Sequence, residues 1–160
     1  NMDEKQRLKS SDVRERQAAA EALSQMGPDA ADAAIELVGA CADEESVQQW
    51  AVAALEELGP PPADSIGELT RLASSSDPLT AFWAITLLGR AGSIAQPSQD
   101  ELAIILNDSK AESVRERAAW ALGKIHPTSP VAIAALQSVE SGKSARLARL
   151  ARHALGEHEG

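Results

Sequence analysis

The chain has 160 residues, of which 44% are hydrophobic and only 2% aromatic, and its formal net charge is −9. Alanine and leucine supply most of the hydrophobic share, which favours helices, because strands prefer aromatic and β-branched residues. The negative charge argues against a nucleic-acid-binding surface. No apolar run is as long as a membrane span, so we expect neither a membrane segment nor a signal peptide.

In chain order, a short opening helix is predicted over the charged segment 3–9. Two alternating sets of helices follow, because apolar residues recur there at helical spacing. One set is predicted at 12–26, 45–58, 78–91, 113–125 and 144–156, and the other at 29–42, 63–74, 98–107 and 130–140. All eight prolines lie between or at the starts of these segments. The pairs Asp77-Pro78 and Ser129-Pro130 indicate an N-cap followed by proline at the first helical position.

An alanine–leucine pair of positions recurs in the first set of helices. The anchor leucines are separated by 32, 33, 34 and 33 residues, and an alanine stands four positions before each one; the anchors are Leu23, Leu55, Leu88, Leu122 and Leu155. A period of this length is the signature of a stacked helical array. We therefore predict one all-α domain over residues 1–160, with five repeats at about 1–27, 28–59, 60–92, 93–126 and 127–160.

The clearest repeat unit is the string Val-Arg-Glu-Arg-Ala-Ala-Trp-Ala-Leu-Gly-Lys-Ile at residues 114–125. It resembles the short HEAT-like repeat found in phycobilin lyase subunits and bacterial helical scaffolds. The ankyrin turn and the tyrosine of the tetratricopeptide unit are absent from this sequence. The resemblance implies a right-handed α-solenoid whose second helices line a concave groove, and a non-enzymatic role in binding proteins. The asparagine ladder of armadillo proteins is not expected, because Ala54, Leu87 and Lys124 occupy those positions.

No catalytic residue, metal ligand set or cofactor is predicted. The pair His158-Glu159 matches half of the ligand set of HEAT-like di-iron hydroxylases, but a second pair is missing, since Ala154 follows His153. HEAT-like DNA glycosylases have a strongly basic groove, which this acidic chain lacks. Cys41 is the single cysteine and lies in an apolar stretch. We expect it to be a buried small hydrophobe in a protein of the reducing cytoplasm.

The rare aromatic residues carry the prediction of a binding site. Phe82 and Trp120 lie at helix positions that point away from the buried stripe, and Trp50 and Trp83 lie at its margin. Trp50 and Trp83 fit either the groove or the seam between repeats, whereas Trp120 is expected to be the most outward and to contribute little to folding. The predicted groove residues are Trp50, Phe82, Trp83, Arg117, Trp120, Arg149 and His153.

Exposed aromatics beside arginines favour a protein or peptide partner, and an acidic one in particular. Residues 1–80 carry 16 acids and 6 bases, whereas residues 141–156 carry four cations and no acid. One hypothesis for this asymmetry is self-association of the acidic half of one chain with the basic last repeat of another. The other is that the cations simply lie on a solvated helix, where positive charge near the C-terminal end is favoured by the helix dipole. A chromophore-binding protein like the phycobilin lyases, and a structural spacer in a larger assembly, are the alternative functions.

Overall fold

The structure is a computed structural model that describes residues 3–156, and these residues form α-helices and short 3₁₀ segments without a strand. The pair His158-Glu159 lies outside the described residues. The α-helices, in chain order, are α1 Glu4–Arg7, α2 Val13–Ser24, α3 Ala34–Gly39, α4 Glu45–Leu58, α5 Ile66–Ala73, α6 Pro78–Ala91, α7 Gln99–Asp108, α8 Glu112–Ile125, α9 Pro130–Glu140 and α10 Ala145–Ala154.

The helices form two layers, with the odd-numbered helices in one layer and the even-numbered helices in the other. Each even helix packs on the odd helix that precedes it. In the even layer α2 packs on α4, α6 on α8 and α8 on α10, while α7 packs on α9 in the odd layer. This stacking of helix pairs confirms the predicted all-α solenoid.

The alanine–leucine stripe is the core of the stack. In α2, α4, α6 and α8 both the anchor leucine and the alanine one turn before it are buried. Alanine at this position lets neighbouring helices approach closely, and leucine fills the space beside it. The fifth anchor differs, because Leu155 lies just beyond the end of α10 and is only partly buried.

The ends of the helices follow local chemistry. The carboxylate of Asp77 accepts a hydrogen bond from the Thr80 backbone N–H at 3.0 Å, and the hydroxyl of Ser129 accepts one from Ala132 at 3.0 Å, so both predicted N-caps are confirmed. Gly92 follows α6 with φ of +66°, a conformation that costs glycine little. His126 ends α8 in the left-handed region and is exposed, as expected for a turn residue before proline.

The odd helices are less regular than the predicted ones. The predicted helix 29–42 is a 3₁₀ segment at Gly27–Ala33, followed by α3 and a 3₁₀ turn at Ala40–Ala42. A second 3₁₀ segment, Gly92–Ser98, precedes α7. Prolines lie within both of the longer segments, and a residue without a backbone N–H cannot complete the α-helical bond pattern. The even helices therefore carry the regular face of the array.

Three even helices are tied to the segment before them by the side chain seven positions before the anchor leucine. Each donates a hydrogen bond to a backbone carbonyl of the preceding segment: Arg16 to Ser10 at 2.9 Å, Gln48 to Cys41 at 3.0 Å, and Arg115 to Leu106 in the last turn of α7 at 2.8 Å. In α6 this position is Ala81, which has no donor. The corner before α6 therefore lacks this tie.

The seam between α4 and α6 differs from the others in the even layer, because the backbones of these two helices stay apart. Trp83 of α6 is buried, with 8% of its surface exposed. The Arg90 guanidinium lies 5.6 Å from the centroid of the Trp83 ring system and donates to the Leu55 carbonyl of α4 at 2.7 Å. Arg90, which lies over the Trp83 ring, thus reaches across to α4 at a seam where the helix backbones are not in close contact.

Candidate partner-binding site

Three aromatic rings and three cations form a chain of contacts along α6 and α8. The Arg117 guanidinium lies between two rings, 4.5 Å from the centroid of Phe82 and 4.6 Å from that of Trp120. Such distances fall within the range of cation–π attraction. We call the whole set the ladder; its members are Arg90, Trp83, Phe82, Arg117, Trp120 and Lys124.

Helical spacing explains how α8 builds its part of the ladder. Arg117 precedes Trp120 by three residues and Lys124 follows it by four, so all three side chains share one face. The Lys124 ammonium lies 5.8 Å from the centroid of the Trp120 ring system. Two cations thus flank this indole.

The prediction that Trp120 faces solvent is wrong. Its side chain is half-buried against the hydrophobic core, and its ring lies over Gly89 of α6. A Cβ atom on residue 89 would overlap the indole ring, so the missing side chain of this glycine creates the space that Trp120 fills. Its position on the helix does turn Trp120 away from the buried stripe of α8. A stacked helix is, however, also covered by its neighbour, and here α6 covers the indole ring.

Arg117 carries a charge without a matching acid. Within residues 3–156 no carboxylate lies at ion-pair distance from its guanidinium. Burial lowers the pKa of Arg117, and the positive charges of Arg90 and Arg146 lower it further, against a smaller opposing effect of Glu116. The surroundings of Arg117 therefore disfavour its charged form, and an anion bound beside the guanidinium would stabilise it.

A hollow of about 290 Å³ lies where α6, α8 and α10 meet, and we call it the cationic hollow. Its lining consists of Phe82, Ser113, Glu116, Arg117, Trp120, Arg146 and Leu150. The Arg146 guanidinium and the Glu116 carboxylate form an ion pair at 3.1 Å, so this pair is internally balanced while Arg117 is not. The hollow offers ring faces, an aliphatic side chain and a net positive charge to a ligand.

A family model for HEAT repeats matches residues 69–156, which is more than half of the chain. The chain belongs to the HEAT repeats. The matched region contains the whole cationic hollow. No curated protein matches the sequence of this HEAT-repeat chain.

Two solved structures of engineered proteins from the Northeast Structural Genomics Consortium share this HEAT-repeat architecture. The first is 20% identical with a TM-score of 0.65, over 96% of this chain and 46% of the other. The second is 20% identical with a TM-score of 0.64, over 96% of this chain and 78% of the other. This chain thus spans about half the length of the first. At this level of identity the likeness shows the fold alone.

The structure brings only part of the predicted groove together. Trp83 is buried, and Arg90, which lies over its ring, donates to the Leu55 carbonyl of α4; this fits the seam alternative better than the open groove. Trp50 is half-buried in α4 and makes no ring contact with a ladder residue. Arg149 and His153 are exposed on α10 and do not line the cationic hollow.

Several residues of this HEAT-repeat site were missed by the sequence reasoning, among them Arg90, Ser113, Arg146 and Leu150. Arg90 lies seven positions after Trp83, and Lys124 seven after Arg117, so both lie two turns along the same helix face. That recurrence was visible in the sequence and could have found Arg90. Arg146 and Leu150 carry no such signal, because their role depends on how α10 packs on α8.

A larger hollow of about 540 Å³ lies elsewhere, between the corner before α6 and the corner before α8. Ala81 forms part of its lining, so the space opens where the tie of the other repeats is absent. Its walls are mostly small apolar and serine side chains, among them Ala73, Ser75, Pro78, Ile105 and Val114. We regard the cationic hollow as the better candidate site, because its charge is unmatched.

Other chemistry is sparse in the described residues. In residues 3–156 no group of three or more His, Cys, Asp or Glu side chains is placed to hold a metal ion. No helix in this part is both long and apolar enough to cross a membrane. Cys41 is fully buried, as predicted, and burial raises the pKa of its thiol to about 12. It is therefore an unreactive core residue.

Proposed function

We propose that this HEAT-repeat chain is a non-enzymatic protein-interaction module that binds an acidic segment of a partner at the cationic hollow. HEAT repeats commonly act as protein-interaction scaffolds. The observation that carries the proposal is the half-buried Arg117, held between Phe82 and Trp120 without a carboxylate of its own among residues 3–156. A carboxylate from a partner would supply that missing charge in a charge-assisted hydrogen bond.

The surrounding side chains support a peptide more than a small anion. The ring faces of Phe82 and Trp120 and the side chain of Leu150 offer apolar contact beside the charge. Interface hot spots combine aromatic residues and arginines in this way. Because the site lies on three helices of a packed array, little conformational entropy is lost when a ligand orders it.

The test uses fluorescence anisotropy with a fluorescein-labelled oligoglutamate peptide, and an oligolysine peptide for comparison. We expect the wild-type chain to bind oligoglutamate alone, with an affinity that falls as salt is added. Arg117→Gln should weaken this binding about tenfold or more, since it removes the unpaired charge at the centre of the hollow. The matched control is Arg14→Gln, which removes an exposed arginine on α2, far from the hollow.

Equal binding by the two variants would refute the assignment of the site. Mixing the chain with a bilin tests the alternative of a chromophore-binding protein. A shift of the bilin absorbance that Arg117→Gln abolishes would place a tetrapyrrole, instead of a peptide, in the hollow.

A further inference from the structure

A second hollow adjoins the cationic one. It measures about 370 Å³ and is lined by Pro78, Leu79, Phe82 and Ser113. We call it the apolar hollow, because three of its four lining side chains are apolar. Phe82 and Ser113 line both hollows, so the two are separated by no more than the width of these side chains.

The first turns of α6 and α8 create this second hollow. Proline at the first position of α6 and Leu79 beside it bring apolar surface to the edge of the stack. Opposite them, Ser113 is exposed on the first turn of α8 and is too small to cover that surface. A large side chain at position 113 would have closed the hollow, and serine leaves it open.

Resting on the proposed function, we infer that the partner segment is an extended peptide of another protein. It carries a bulky apolar side chain two residues from its acidic side chain. In an extended chain, residues i and i+2 point to the same side about 7 Å apart, which suits two hollows that share a wall. The acid pairs with Arg117, and the apolar side chain covers Leu79 and Pro78.

Charge complementarity decides between this occupant and others. The positive charges of Arg90 and Arg146 act on Arg117 in addition to burial, so the site favours an anion. A purely apolar ligand would cover Arg117 without providing a partner, which is costly for a buried charge. A purely acidic ligand would leave the surface of Leu79 and Phe82 exposed to water.

Three fluorescein-labelled peptides of equal length on a Gly-Ser background separate these cases in the anisotropy assay. The first carries Leu and Glu two residues apart, the second has Ser in place of Leu, and the third has Gln in place of Glu. We expect the first peptide to bind about tenfold more tightly than either of the others, because one buried aliphatic side chain or one ion pair has this weight.

Two variants locate the effect. Leu79→Ala should remove the advantage of the first peptide over the second while leaving the second unchanged. Ser113→Phe should weaken the first peptide strongly, because it fills the space that the hollows share and removes no core contact. Thermal melts followed by circular dichroism show that each variant remains folded, and Ser113→Phe decides the matter if Leu79→Ala does not fold.

The outcomes distinguish the two proposals. If the first and second peptides bind equally and the third does not bind, the acidic site stands and the inference about the apolar side chain is refuted. If the third peptide, which has Gln in place of Glu, binds as tightly as the first, the proposed function fails as well. If sedimentation shows that the chain self-associates and Arg117→Gln abolishes this, the occupant is a second copy and the inference is wrong.

Discussion

The contact between Trp120 and Gly89 predicts that a single methyl group changes stability with opposite sign in two backgrounds. Alanine is favoured over glycine in a helix interior by roughly 0.8–1.0 kcal/mol. In the wild-type chain, Gly89→Ala places its Cβ inside the volume of the indole ring. Arg117 and Lys124 lie on that ring, so it cannot move without disturbing the ladder.

The magnitudes follow from these two effects. Overpacking costs about 1–3 kcal/mol, so Gly89→Ala should destabilise the wild-type chain by about 1 kcal/mol after the helical gain is subtracted. In a Trp120→Ala background the space is open, and the same substitution should stabilise by up to about 1 kcal/mol. The coupling free energy between the two positions is then about 2 kcal/mol, which is within the range for residues in contact.

The measurement is a double-mutant cycle of urea unfolding, followed by circular dichroism on the wild-type chain, the two single variants and the double variant. Equal m-values across the four proteins are required for the comparison. If Gly89→Ala stabilises both backgrounds by the same amount, Trp120 does not lie on Gly89 and the packing described for the site is wrong.

Further predictions concern the core and two titrating groups. Ala118→Leu should lower the free energy of unfolding by about 1–3 kcal/mol, because Ala118 is fully buried on the stripe. Glu116→Ala should lower it by less than about 1 kcal/mol, since the ion pair of Glu116 is partly solvated. Equal effects of the two variants in thermal melts would contradict the rotational phase assigned to α8. Burial raises the pKa of Cys41 to about 12, so the native thiol should resist Ellman's reagent near neutral pH and react on unfolding. The raised pKa of the folded state favours the neutral thiol, so the contribution of Cys41 to stability is present at neutral pH and is lost as the pH rises toward about 12. The Arg16 side chain lowers the pKa of Asp43 by hydrogen bonding. The Asp43 carboxylate therefore stabilises the native state above its unfolded pKa, and this contribution disappears as the pH falls through its lowered folded pKa. Asp43→Asn should reduce the acid sensitivity of unfolding, and an unchanged dependence of unfolding on pH would count against the Arg16–Asp43 pair.

The even helices were predictable because the signals that define them are local. The predicted segments 45–58 and 78–91 coincide with α4 and α6, since apolar periodicity and a glycine after the last turn agree at both, and Asp77 caps α6. The odd helices were predicted less well. Residues 27–42 have the composition of a helix, but the segment that contains Pro28 begins as a 3₁₀ helix, Gly27–Ala33, instead of an α-helix. The spacing of apolar residues does not distinguish these two kinds of helix.

The candidate site was predictable only in part, for a physical reason. Aromatic residues beside Arg117 could be placed on one helix face from their spacing alone. The burial of Trp120 depends on Gly89, a residue of another helix, and the cationic hollow depends on Leu150 and Arg146 of α10. Contacts between repeats are set by how the helices stack, and the periodicity of a single sequence contains no direct record of that stacking.

The wide seam between α4 and α6 gives the array a mechanical weak point. In a linear array each unit is held only by its neighbours, so separation under load or heat begins where the coupling is thinnest. Here the chain would part into a unit of residues 3–58 and a unit of residues 63–156, each opening as a cooperative block. Because Arg90 joins the seam to the ladder and its charge acts on Arg117, opening at this joint would change the electrostatic environment of Arg117.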